Sequence, residues 1–124
     1  MLYLISVALH VITAVLVVGL IGAVPLAARF GAEGLVGALL RTTQLGFLVM
    51  LITGILLDVS SDGNFHRAGW FRASVVVLVL VGAAHSRARA ALKANALRLV
   101  ERWGWAMCAG IAVITLLMQT KLVP

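Results

Sequence analysis

Long apolar stretches alternate with short polar ones along this chain, and the pattern predicts four helices that each cross a membrane. A hydrocarbon core about 30 Å thick needs roughly 20 apolar residues at 1.5 Å per residue. The first stretch, about residues 2–28, contains no charged residue, and Pro25 is expected to kink or end its helix. The other three predicted helices cover about residues 39–57, 70–91 and 103–120.

The polar stretches predict one clear loop and one basic helical segment. Residues 58–69 are dense in turn-forming residues and predict a loop between helices 2 and 3. Helix 3 has only 14 uncharged residues between Arg72 and Arg87, about 21 Å, so both arginines must reach toward lipid headgroups. The basic, alanine-rich segment 87–102 is helix-prone and predicts either an extension of helix 3 or a helix lying on the membrane.

Composition supports a membrane protein and excludes a soluble monomer. Hydrophobic residues make up 63% of the 124 residues and charged residues only 11%, too few to cover the surface of a small soluble domain. The fold class predicted is therefore all-α, an integral membrane four-helix transmembrane bundle forming one domain over residues 1–124. The single cysteine, Cys108, excludes an intramolecular disulfide.

The net charge of +6 is distributed unevenly between the two ends of the predicted bundle. Three positive residues lie on the side of the two termini, and seven lie on the side of the first and third loops. Because positive residues stay inside, we expect an integral protein of the bacterial inner membrane with both termini periplasmic. Anionic headgroups, rather than nucleic acid, are the expected partners of the basic segment. Its positive residues are Arg87, Arg89, Lys93, Arg98 and Arg102.

Two histidines at membrane depth are the candidate cofactor ligands. His10 lies about 12 Å into helix 1, on one stripe with Ser6, Thr13 and Val17 that is expected to face the bundle interior. His85 lies about 18 Å into helix 3, measured from the same membrane surface. Imidazole nitrogens bind haem iron, so two imidazoles at similar depth on neighbouring helices predict haem b with His10 and His85 as axial ligands.

Other roles for these histidines stay open from the sequence. One histidine alone could ligate haem, either could contact a quinone, or each could hydrogen-bond a serine, threonine or backbone carbonyl of another helix. His66 in the polar loop is expected to be a solvated side chain.

Helix 2 carries small or polar residues along one side, which favours close helix packing over a cofactor groove. These residues are Thr43, Gly46, Met50, Thr53 and Gly54.

Scattered residues over most of the chain form a further pattern, which consists of His10, Gly19–Leu20, Pro25, Thr53–Gly54, Trp70, His85, Arg87 and Arg89. This pattern resembles a superfamily of small helical membrane proteins that includes HemJ-type protoporphyrinogen oxidases and the CopD copper-resistance membrane domain. The resemblance implies the same four-helix fold, with haem b bound at His10 and His85.

The resemblance and the residue pattern together lead to two functional hypotheses. The first is a small membrane protein that binds haem b between helices 1 and 3 and takes part in electron transfer. The resemblance also implies porphyrinogen oxidation, which is not favoured because Val17–Val18 and Pro25–Leu26 depart from the HemJ pattern. The alternative is a non-catalytic transmembrane accessory subunit that packs in a larger respiratory or photosynthetic membrane complex. The expected protein partners are other membrane subunits or further copies of this chain.

Overall fold

Four long α-helices make up the computed structural model, which describes residues 1–121. They are α1 (Leu2–Arg29), α2 (Glu33–Ser60), α3 (Gly69–Lys93) and α4 (Leu97–Thr120). Each helix is long and apolar enough to cross a membrane. The predicted all-α class with four candidate spans is confirmed.

The helices extend further than their uncharged stretches. α2 begins six residues before the predicted start at 39, and α4 begins six residues before 103. The segment 87–102 forms no separate surface helix, because residues 87–93 close α3 and residues 97–102 open α4. Arginine, lysine and alanine are good helix formers, so charge alone does not end a helix. The breaks instead come where the backbone turns left-handed, at Gly31 (φ 75°) and Asn95 (φ 56°).

Two antiparallel helix pairs build the bundle. α1 and α2 form the first pair, α3 and α4 form the second pair, and α1 also packs against α4. Of the four neighbouring helix pairs, α2 and α3 approach each other least closely. Glycines allow the close approach within each pair: a Cβ added at Gly46 would lie 2.5 Å from Val17 Cγ2, and one added at Gly110 would overlap Val81.

The apolar core occupies only one half of the bundle. We call the end with the α1–α2 and α3–α4 turns the basic end, and the end with the N-terminus and residues 61–68 the loop end. The core lies in the basic half. Its largest members are Val17, Ile21, Val24, Val36, Leu40, Val81, Val100 and Met107. In the described part of the loop half, the buried side chains are instead the hydroxyl residues Ser6, Thr53 and Ser74.

Candidate functional site

His10 contacts helix α2 in the loop half. Its Nδ1 lies 2.9 Å from Thr53 Oγ1. The Thr53 hydroxyl has one hydrogen, which it donates within its own helix to the backbone oxygen of Val49 (2.9 Å) or Met50 (3.1 Å). Thr53 Oγ1 therefore accepts the His10 Nδ1–H, and the lone pair on Nε2 takes no part in this contact. The ring lies beside Gly54, where an added Cβ would be in ordinary van der Waals contact with His10 Cε1 at 3.5 Å.

His85 contacts the same helix in the basic half. Its side chain is 5% exposed, and Nε2–H donates to the backbone oxygen of Leu40 at 2.8 Å. A carbonyl can only accept, so the proton sits on Nε2 and the lone pair on Nδ1. Phe47 meets the imidazole edge-on, with ring centroids 5.6 Å apart. The ring of His85 thus lies between α2 and α3, the neighbouring helices that approach least closely.

A second polar contact between α2 and α3 lies one turn from His85. Arg89 Nη1 donates to Gln44 Oε1 at 2.6 Å. Arg89 follows His85 by four residues and Gln44 follows Leu40 by four, so both contacts lie on the same two helix faces. We call these two hydrogen bonds the α2–α3 bridge. Thr43 is completely buried on α2, and its hydroxyl donates a hydrogen bond to the backbone oxygen of Leu39 in the same helix at 2.7 Å.

The two candidate haem ligands are not brought together. His10 contacts Thr53 and His85 contacts Leu40, and these positions on α2 are 13 residues apart, about 20 Å along the helix. The order of packing around the bundle also places α1 and α3 diagonally rather than side by side. Two axial ligands bind opposite sides of one iron atom, so this arrangement does not fit a single haem held by both imidazoles.

The predicted depths of His10 and His85 differed by only about 6 Å, because both were counted from helix starts assumed to lie at the same membrane surface. The packing shows that α3 starts deeper in the bundle than α1. Val81 faces Gly110, and Cys108 Sγ lies 3.8 Å from Ile21 O. His85 follows Val81 by four residues and lies about 6 Å nearer the basic end. It is therefore near the level of the second half of α1, far from His10. The helix offset is a property of packing that the hydropathy pattern does not carry.

The donor set still permits ligation by one histidine. A ligating imidazole commonly donates its other N–H to a neighbouring acceptor, which fixes the ring and the tautomer. His10 has this arrangement, with Nδ1 bonded to Thr53 and Nε2 facing away from that bond. Over residues 1–121, no three His, Cys, Asp or Glu side chains are grouped so that they could hold a metal ion.

His66 lies in the loop between α2 and α3 and is bonded to Asp58. Its side chain is 58% exposed, which agrees with the solvated loop residue expected. Asp58 organises the loop: Oδ2 lies 2.9 Å from His66 Nδ1, and Oδ1 accepts the backbone N–H groups of Phe65 (3.1 Å) and His66 (3.0 Å). The role of Asp58 in holding this loop was not predicted from the sequence.

The basic residues assigned to headgroups all lie at or near the basic end. Four of them are exposed, whereas Arg89 is half-buried in the α2–α3 bridge. The hydrogen-bond partners of the two histidines and of Arg89 were not recognised either; they are Thr53, Leu40 and Gln44. Thr53 was noted as part of a small-residue stripe and of the resemblance but not as the partner of His10, and the carbonyl of Leu40 has no signature in a sequence.

No family model, curated protein or solved structure matches this chain. The resemblance to the HemJ and CopD superfamily therefore stays a prediction carried by scattered residues.

Proposed function

We propose that this protein is an integral membrane subunit whose role is to pack against other transmembrane helices. The main support is that both histidines and Arg89 form hydrogen bonds within the bundle. His10 is bonded to Thr53, His85 to Leu40, and Arg89 to Gln44. This is the interhelical hydrogen bonding that the sequence left open as the alternative to haem ligation.

The outward faces of the helices also support a packing role. Large apolar side chains are exposed along α1, α2 and α3, among them Leu16, Leu45 and Val79, at 62%, 65% and 68%. Such a surface belongs in lipid or against other helices. The charge distribution favours an orientation with the basic end on the cytoplasmic side and the N-terminus outside.

The test compares the mass of the protein particle purified from two sources. The tagged chain is purified in mild detergent from its native membrane and from a host that expresses it alone, and the protein mass of each particle is measured by light scattering. We expect a larger particle from the native membrane, because partner subunits remain attached, or an oligomer from both sources if the partner is a second copy. A monomer from both sources would contradict the proposal.

Haem binding through His10 alone is the second candidate. It is supported by the Nδ1–Thr53 bond, which leaves Nε2 available. The reduced-minus-oxidised visible spectrum separates the two functions. A packing subunit gives no haem bands, even from cells supplied with haem precursors. Haem held by His10 gives a Soret band that disappears in His10→Ala and persists in His85→Ala. Loss of the band in His85→Ala alone would contradict the assignment to His10.

A further inference from the structure

A groove on the outer surface of the second pair combines an apolar channel with a cationic end. It has a volume of about 500 Å³ and runs between α3 and α4. Small side chains form much of its floor and walls, including Ala83, Ala106 and Ala109. Arg87 of α3 and Trp103 of α4 line its end nearest the basic end.

The length of the groove matches one leaflet of a bilayer. Along α3 it runs from Val77 to Arg87, and along α4 from Trp103 to Val113. Each distance is ten residues, about 15 Å, which is half of a hydrocarbon core about 30 Å thick. A lipid acyl chain lying in this groove would therefore begin at the level of Arg87 and end near the bilayer midplane.

The polar groups at the basic end suit a phosphate. The Arg87 side chain is exposed, and within residues 1–121 its guanidinium has no carboxylate or hydrogen-bond partner. Trp103 is half-buried, and indole N–H groups commonly lie at the headgroup level of membranes. An arginine offers a forked set of donors that fits phosphate oxygens.

We infer that this groove binds an anionic glycerophospholipid of the leaflet at the basic end. One acyl chain lies between α3 and α4, and the phosphate is bound by Arg87 beside Trp103. The inference rests on the membrane insertion contained in the proposed function. It adds a specific ligand, and it identifies Arg87 as a binding residue distinct from the other positive residues of the basic end.

Quenching by brominated lipids tests the groove directly, because Trp103 lines it. Trp70 and Trp105 are replaced by phenylalanine so that Trp103 is the one remaining tryptophan. The protein is reconstituted in phosphatidylcholine that contains increasing fractions of brominated phosphatidylglycerol or brominated phosphatidylcholine. We expect phosphatidylglycerol to bind about fivefold more tightly, the ratio that corresponds to one arginine beside an anionic lipid.

Arg98→Gln is the matched control for Arg87→Gln. Both variants lose one positive charge at the basic end, but Arg98 does not line the groove. We expect Arg87→Gln to abolish most of the fivefold preference and Arg98→Gln to retain it. Equal loss in both variants would overturn the inference, because the preference would then come from the general charge of the basic end. Ala106→Phe, which fills the groove, is expected to reduce quenching by both lipids.

The remaining outcomes separate the groove from the proposed function. Strong quenching by both lipids without a preference would show that the chain is inserted but would overturn the lipid site. If Trp103 were shielded from both lipids and the protein were dimeric, the lipid site would also be overturned, because a second copy would then cover the groove. No quenching in a monomeric protein would contradict membrane insertion itself.

Discussion

The basic half and the loop half of the bundle hold their helices together in different ways. In the basic half the apolar core connects all four helices, and the α2–α3 bridge joins the first pair to the second. In the loop half the His10–Thr53 contact lies inside the first pair. Toward the loop end, a groove of about 490 Å³ is lined by Val18 of α1 and by residues of α4 from Cys108 to Gln119.

One residue type therefore has two structural roles in one helical bundle. His85 connects the two neighbouring helices that approach least closely, so its ring replaces packing that backbone contact cannot supply. His10 lies between helices that Gly46 already brings together, so its hydrogen bond supplements existing packing. The cost of removing each side chain should therefore depend on the half of the bundle in which it lies.

The largest effect is expected at the joint between the two pairs. An added Cβ at Gly104 would lie 3.0 Å from Pro25 Cδ and 3.1 Å from Pro25 Cβ and N, and the proline ring and backbone are rigid. Gly104→Leu is therefore expected to destabilise the protein by about 3 kcal/mol through overpacking. The measurement is unfolding in mixed micelles of a mild detergent and dodecyl sulfate, followed by circular dichroism.

Gly82→Leu is the control for this prediction. Gly82 is also inside a helix, but an added Cβ there meets nothing within 4 Å. Because leucine has a higher helix propensity than glycine, this variant should be as stable as the original protein or more stable. Equal free energies of unfolding for the two leucine variants would contradict the close approach of α1 and α4 at Gly104.

A smaller effect is expected for truncation of the two histidines, and it should be unequal. His85→Ala leaves a gap between α2 and α3 and is expected to lower the free energy of unfolding by about 2 kcal/mol. His10→Ala removes a half-buried ring beside an already close pair, and we expect about 1 kcal/mol. Both are measured by the same unfolding experiment. Equal costs, or a larger cost for His10→Ala, would contradict the difference between the halves.

The smallest effect concerns the hydrogen bond between His10 and Thr53. Thr53→Val keeps the shape of the side chain and removes the acceptor, and intramembrane hydrogen bonds average about 0.6 kcal/mol. The cycle of Thr53→Val, His10→Ala and the double variant should give a coupling of about this size. Thr43→Val is the control, because Thr43 bonds only within α2 and should not couple to His10. A coupling at Thr43 equal to that at Thr53 would contradict the assigned contact.

Much of the fold follows from residue pattern alone, whereas the site does not. The uncharged run of α1 and the apolar runs of the other three helices predict four helices, because runs of this length match helical spans and a helix satisfies its backbone hydrogen bonds within one segment. The helix ends were predicted less well at Glu33 and Leu97, because charged residues interrupt an apolar run without ending the helix. The bonds at Thr53, Leu40 and Gln44 depend on which helix faces meet, and that is not encoded locally.

The residue order by itself determined the number of helices, their antiparallel succession and the concentration of positive charge at one end. These properties depend on local composition and on the cost of placing polar backbone in an apolar solvent. Only the tertiary structure decided that His10 and His85 contact α2 about 20 Å apart. The offset between helices depends on the interlocking of side chains such as Val81 at Gly110, and no single segment contains that information.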